Sequence, residues 1–584
     1  LLTREWYFVQ ISYSNKTGHL ILNQIPQTDY ALIKHTANNK TTISDKLTVK
    51  TPNFIFAAKS STEKKDTFYN GKIDSVRISN IPLNLSDSYR LNSNQIPSSL
   101  ISSLIGAWDF SIEMNSQNVF DISPNRMKGQ TYQMPARAMK GHNWSGEELN
   151  WRHCPQQYGA IHFHDDDLYD AGWETDFIFT VPDDLKSGWY AAHLKNENDE
   201  EFIPFVVKTK LERRKSKAVF CVPIASYLAY ANEHMMTDAT LAEHLTDQVA
   251  TMGKADVFLH EHREYGASMY DTHSDGSGVC YSSRLRPILT MRPKYQSWLG
   301  GKGSSLWQMN ADTHITDWLE SKDFEYDCIS DEDLHFEGSS VLEGYDVFIT
   351  STHHEYWSKE MWDALDAFKK RGGRLMYLGA NAWYWRVAFH SNFPGLMEVR
   401  RGEGGIRAWA AEPGEYYHSL TGEYGGLWRR SGKPPQMMAG TGFSAQGFDI
   451  ASYYRKSPDS KNKRAKFIFE GVEEEIIGDF GLIGDGAAGL ELDRADTLLG
   501  TPPNTLVLAS SEDHSQIYMV VCEEILINAP GMCGGEHPLV RADMVFFETP
   551  SGGAVFSTSS ISWAGSLSHN NYNNNVSRIT ENVL

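Results

Sequence analysis

Residues 344–385 read GYDVFITSTHHEYWSKEMWDALDAFKKRGGRLMYLGANAWYW, and this stretch decides the fold. Asp346 to Thr350 is a short apolar, β-branched run of the kind found in buried strands. From Ser358 to Arg371, Met361, Leu365 and Phe368 recur at spacings of four and three, which predicts an amphipathic helix. Ser358 is a natural N-cap and Gly372-Gly373 a natural stop. Arg374 to Leu378 then reads as a second strand. A strand, a helix and a strand in this order form a βαβ unit, so the two strands should be parallel neighbours. Ligands of such sheets sit beyond the carboxyl ends of the strands. Those ends here are His353-His354-Glu355-Tyr356-Trp357, dense in metal- and proton-handling groups, and Gly379-Ala380-Asn381, which offers a neutral amide.

Working outward, 584 residues are too many for one core, and several domains are expected. A net charge of −20 disfavours nucleic acid or an anionic membrane as partner, while also serving solubility. No run of 18 apolar residues implies a membrane span. The cysteines at 154, 221, 280, 328, 522 and 533 lie far apart, which suits reduced thiols and a cytoplasmic location. The chain opens at Leu1-Leu2-Thr3-Arg4 without an initiator Met and runs straight into strand-like sequence, so it is expected to begin inside a domain.

Three domains are expected. In the first, residues 1–145, WYFVQIS and HLILNQI flank a polar turn, as in a β-hairpin, and further short strands are expected at 52–58, 73–78 and 101–109. WYFVQISYSNKTGHLIL followed by YNGKIDSVRISN resembles the laminin-G/concanavalin-like jelly roll, which implies an antiparallel β-sandwich serving as scaffold or sugar-binding module. Residues 146–210 read as a second small β-sandwich. Within it, His162 and His164 share one face of a strand and Asp165 to Asp167 follow; these residue types admit a metal, but a solvated face beside a charged loop is the plainer explanation. Residues 211–584 read as an α/β domain with a mostly parallel sheet, opened by the apolar strand Ala218 to Pro223 and including a helix at 314–323 and a strand at 326–330. The late segments 464–470, 505–509, 516–522 and 554–558 return to strand-like sequence.

Three loop segments of this domain could meet at the strand ends: the one carrying Tyr230, the run Glu264 to Asp271, and His353 to Trp357. A lone tyrosine is usually a packing residue; a carboxylate beside two histidines binds metal or moves protons. Weaker groupings are His260-Glu261-His262 with His273, which lack a familiar zinc spacing, and Cys221, which lacks a nucleophile elbow.

Taken together, AVFCVPIASYLAYAN, YGASMYD, DVFITSTHHEYWS and LMYLGANAWYWR resemble the catalytic region of the large subunit of the N,N-dimethylformamidase family, with a likeness spanning most of residues 100–584. The resemblance implies hydrolysis of small N-substituted formamides at a mononuclear iron, Fe3+, held by two tyrosines and a glutamate. By motif these are Tyr230, with Tyr227 as a rival three residues earlier, Tyr270 and Glu355. Polar groups carried over are His353, Asn381 and Glu491. It further implies a small accessory alpha subunit and a hetero-oligomer. The chemistry agrees, since phenolate and carboxylate are hard oxygen donors suited to a ferric ion. The rival readings are a carbohydrate-binding protein acting through the jelly roll and a metal-free carboxylate hydrolase of glycosidase type using Glu355 and Glu491.

Overall fold

The computed structural model describes residues 2–28, 35–44, 53–59, 67–92, 96–238, 242–402, 404–405, 407–525, 527 and 529–584. They form two compact units. One takes the residues up to Tyr169 with His273–Ser277 and Ala411–Tyr424; the other takes Asp170–Thr272, Gly278–Ala410 and Gly425–Leu584.

The first unit is built from small antiparallel sheets. Tyr7–Ser14 and His19–Pro26 form the expected hairpin, extended by Ala37–Thr42. A second sheet sets Ala160–Phe163 between Gly71–Ile73 and Ala136–Met139. A third orders Arg77–Ser79, Leu104–Asp109, Asn118–Asp121 and Lys128–Gln130. The strand expected at 52–58 is not regular over 53–58, and residue 52 lies outside the described residues. Phe54 and Phe56 instead set their rings against Trp108, so side-chain burial rather than a ladder holds them.

The second unit is dominated by an 11-stranded sheet. Its parallel core runs Tyr326–Ser330, Ala218–Val222, Val347–Ile349, Arg374–Tyr377, Ala554–Ser557. Beyond that point Asp543–Glu548, Leu506–Glu512 and Gly442–Lys456 join antiparallel, so the sheet is mixed rather than mostly parallel. The difference arises in the late segments, where Asp543–Glu548 turns directly into Ala554–Ser557 as a hairpin and so sets the antiparallel direction. The segment expected as a strand at 464–470 contains a 3-10 turn, Lys466–Phe469, whose Ile468 is buried. Within 170–210 the regular structure is a two-stranded hairpin, Gly188–Lys195 with Glu200–Val207, where a small sandwich was expected.

The βαβ reading holds in detail. The helix spans Lys359–Lys370, Ser358 caps it by accepting from Met361 N, and Met361, Leu365 and Phe368 are buried. Its flanking strands pair in parallel, Val347 opposite Arg374. The order of the sheet places the site. From Ala218–Val222 the chain crosses to Tyr326–Ser330 on one side, whereas from Val347–Ile349 it crosses to Arg374–Tyr377 on the other. Connections diverging from adjacent strands leave a crevice at their carboxyl ends. The segments that follow those two strands carry Tyr230 and Glu355.

Ser358→Ala should lower the unfolding free energy by about 1 kcal/mol, the usual worth of such a cap. A urea melt of the purified variant checks this, and an unchanged midpoint would show that tertiary packing alone holds the helix.

Candidate active site

Each strand-end segment is fastened before it presents its functional group. After Ala218–Val222 the chain forms the short helix Ile224–Tyr230, where a loop was expected, and six of its seven residues are buried. Its end is pinned by Met269 N donating to Ala229 O at 2.9 Å, which brings the Tyr270 loop alongside. Ser226 Oγ accepts from Glu355 N at 3.1 Å. Trp383 N donates to His354 O, and Tyr384 N and Trp385 N donate to Glu355 O, at 2.9–3.0 Å. Gly379 is required by close approach: a Cβ there would stand 2.1 Å from Thr352 O. Of the paired histidines, His354 turns away and its Nε2 meets Cys221 O at 3.1 Å. Burial lowers its pKa to about 3, so it is a neutral structural residue.

Around Glu355 the polar atoms converge. Tyr230 Oη is 2.7 Å from Glu355 Oε2 and 2.7 Å from Tyr270 Oη. Tyr270 Oη lies 3.1 and 3.2 Å from the two carboxylate oxygens, and Trp385 Nε1 donates to Oε1 at 3.0 Å. His353 Nε2 is 3.4 Å from Glu355 Oε2 and 2.8 Å from Glu491 Oε2. All these residues are buried. Tyr227 is not among them; its hydroxyl donates to Asp312 Oδ2 at 2.5 Å, and Asp312 also takes Thr352 N at 2.7 Å. The structure thus brings together Tyr230, Tyr270, Glu355, His353 and Glu491. Asn381 is held through its backbone N, which donates to Asp493 Oδ1 at 2.8 Å, and its side-chain Oδ1 is buried without a partner.

Burial raises both phenols far above their usual range, and the Glu355 carboxylate adds to this. A cation among three converging oxygen donors reverses that preference, because its charge stabilises phenolate. Burial would depress His353, but Glu491 and then Glu355 outweigh it and lift the imidazole to about 9. Glu355 is itself raised by burial, with His353 opposing.

The oxygen donors Tyr230, Tyr270 and Glu355 fit a hard cation. Nearby, Asn381 Oδ1 and Gln308 Oε1 are buried without hydrogen-bond partners. Buried polar atoms are rarely left so, and their concentration here points to something bound.

Sequence reasoning missed three contributors. Arg401 Nη2 donates to Tyr356 Oη at 2.7 Å, Tyr356 Oη donates to Tyr270 Oη at 2.7 Å, and the guanidinium stacks over Tyr270 and Trp385 at 4.6 and 4.3 Å. Trp307 packs 5.3 Å from the His353 ring and 6.0 Å from Tyr230. Gln308 Nε2 lies 3.0 Å from His353 Nδ1. No motif marks these three, because their spacing from the site is set only by the fold. Of the tryptophans within these motifs, Trp385 touches Glu355, while Trp357 and Trp383 pack on each other at 5.7 Å as core. Cys221 is a buried free thiol whose pKa is pushed up by burial, and His262 pairs with Glu264 at 3.0 Å, so neither weaker grouping forms a site.

The family model for the N,N-dimethylformamidase beta subunit-like C-terminal region matches residues 136–575. The chain belongs to this family. It is 45% identical over 523 residues to the N,N-dimethylformamidase beta subunits of Alcaligenes sp and of Paracoccus aminophilus, an overlap of 88% of this chain and 68% of each relative. The family segment includes every element that builds the Glu355 crevice in this dimethylformamidase-type chain.

Tyr227→Phe should leave the Glu355 cluster in place but strip Asp312 of one partner, costing roughly 1–3 kcal/mol of stability. Chemical denaturation beside a turnover assay checks this. A collapse of turnover at unchanged stability would return Tyr227 to the active site.

Proposed function

We propose that the protein is an iron-dependent amidohydrolase of small N-substituted formamides, N,N-dimethylformamide among them, yielding formate and the amine. The single observation that carries this reading is the meeting of Tyr230, Tyr270 and Glu355 through hydroxyl and carboxylate oxygens 2.7–3.2 Å apart. These three would hold the mononuclear Fe3+. Bound there, the ion supplies Lewis acidity to an amide carbonyl and to water.

The chain's own residues divide the remaining work. Glu491 Oε2 accepts a proton from the attacking water, and His353 Nε2, 2.8 Å away, returns one to the departing amine nitrogen. The Asn381 side-chain Nδ2 would donate to the charge that develops on the carbonyl oxygen. Trp307 and Trp385 give the crevice apolar walls for N-alkyl groups.

The beta-subunit names of the relatives support a small alpha subunit as partner and a hetero-oligomer. Six free cysteines favour a reducing, cytoplasmic setting. Among the described residues no helix is long and apolar enough to cross a membrane. The antiparallel sheets of the first unit are consistent with a laminin-G-like jelly roll.

Elemental analysis of the purified protein is expected to find iron, with a visible phenolate-to-iron absorption band that Tyr270→Phe weakens. Glu355→Ala should lose iron and activity together while keeping its circular dichroism. Asn381→Ala should keep iron and turn over about a hundredfold more slowly, the cost of one oxyanion donor. An active, iron-free and colourless enzyme would favour the metal-free carboxylate reading through Glu355 and Glu491.

One methyl in an apolar pocket is worth only about 1–3 kcal/mol, so N-methylformamide and dimethylformamide should show modest differences in kcat/KM. A charged formamide should react far more slowly, because its charge would be buried without a partner. Preference for the charged amide would overturn the apolar crevice.

A further inference from the structure

The first unit holds a group of side chains that the hydrolysis does not use. His162 and His164 alternate along and just beyond the strand Ala160–Phe163, so both rings rise from one face, 4.2 Å apart. The turn that follows folds Asp167 back, its Oδ1 3.0 Å from His164 Nδ1. The segment His273–Ser277 closes over them. Its His273 ring stacks on His164 at 3.7 Å and 5°, and Asp275 Oδ2 lies 2.8 Å from His162 Nε2. Asp166 Oδ1 is 2.6 Å from His273 Nδ1. The His164 and His273 side chains are 2% and 8% exposed.

Three touching imidazoles cannot all be protonated without mutual repulsion. Imidazole nitrogens beside carboxylate oxygens are the donor types that a transition-metal ion of the zinc class takes. Ligand atoms of His164, Asp167 and His273 lie within 4.8 Å of one another, and so do those of His162, His164 and Asp275. A tetrahedral zinc with bonds of about 2.0–2.2 Å spaces its ligands by roughly 3.3 Å, so a small inward shift of such a trio completes a site. The His164, Asp167 and His273 set is the more enclosed. It also has the usual outer partner, because a carboxylate on Nδ1 fixes the ring and leaves Nε2 to the metal, as Asp166 does for His273.

We propose that His164, His273 and Asp167 form a second metal site, for a divalent ion of the zinc class, which ties the His273–Ser277 segment to the strand Ala160–Phe163 within the first unit. Nitrogen and oxygen donors of this kind suit zinc, whereas the all-oxygen set around Glu355 does not. With three ligands from the chain and a water in the fourth position, the ion would join His164 and His273, 109 positions apart in sequence, so binding contributes directly to stability.

The test uses the purified full chain, equilibrated with zinc chloride and dialysed, with zinc and iron counted separately. Zinc should be retained beside the iron, its removal by a chelator should lower the thermal midpoint, and added zinc should restore it. His164→Ala should lose the zinc and that zinc-dependent shift while keeping iron and the visible band. Where His164→Ala does not fold, the near-isosteric Asp167→Asn replaces it, with the same losses expected. Asp275→Asn should keep the zinc; if it loses the zinc while Asp167→Asn retains it, the assigned ligand set is overturned. Wild-type protein that retains no zinc, or His164→Ala that retains as much as wild type, would leave these residues as plain histidine–aspartate pairs.

Discussion

The structure of the second unit turns on a buried carboxylate. Glu355 is 1% exposed, and a carboxylate removed from water costs several kcal/mol unless hydrogen bonds replace its hydration. Tyr230, Tyr270 and Trp385 supply donors to its two oxygens. They come from three separate segments, so satisfying one side chain fixes where those segments meet. Its own backbone is engaged as well, by Ser226 on one side and by Tyr384 and Trp385 on the other. The parallel core of the sheet makes this possible, because it delivers the chain ends after Ala218–Val222, Val347–Ile349 and Arg374–Tyr377 to the same edge.

Backbone geometry around the crevice carries the corresponding strain. Asn381, Trp383 and Leu490 have φ of 51°, 54° and 64°. Asparagine tolerates this region; leucine and tryptophan do so at a cost of about 1–3 kcal/mol each. Leu490 stands beside a register shift where Ala488–Arg494 pairs with the long strand Gly442–Lys456. A bulge re-aims the side chains next to it, and here Glu491 is directed toward His353. Such outliers persist where the surroundings over-determine them, and the bond that Leu490 N donates to Tyr518 Oη is one such restraint.

The carboxylates are balanced by one direct partner, His353 at 2.8 Å from Glu491, and by one more distant cation. Arg401 is fully buried and reaches the cluster through Tyr356 and Tyr270 rather than by touching Glu355. Its planar guanidinium covers the faces of Tyr270 and Trp385, an arrangement in which cation–π attraction offsets part of the desolvation. Through Tyr356 it withdraws electron density from Tyr270 directly, and it reaches Tyr230 only by way of the Tyr230–Tyr270 hydroxyl contact. The two tyrosines are therefore chemically inequivalent.

The local signals in residues 344–385 were enough to establish the parallel βαβ unit, because helix periodicity, the Ser358 cap and two short apolar runs are properties of contiguous residues. Composition and motif likewise placed Glu355, His353 and Asn381 at strand ends. What periodicity could not decide was which of Tyr227 and Tyr230 faces Glu355: both are buried, three residues apart on one short helix, and only the partners brought by the fold, Asp312 for one and Tyr270 for the other, separate them. Arg401, Trp307 and Gln308 lie 37 residues or more from the nearest residue of the Tyr230–Tyr270–Glu355 set, and they reach it through packing. The antiparallel half of the large sheet escaped the sequence for the same reason, since a buried strand looks alike whichever way its neighbour runs. His162 and His164 were visible as a pair, but their meaning depended on His273 and Asp275, more than a hundred residues away, which only the folded first unit sets against them.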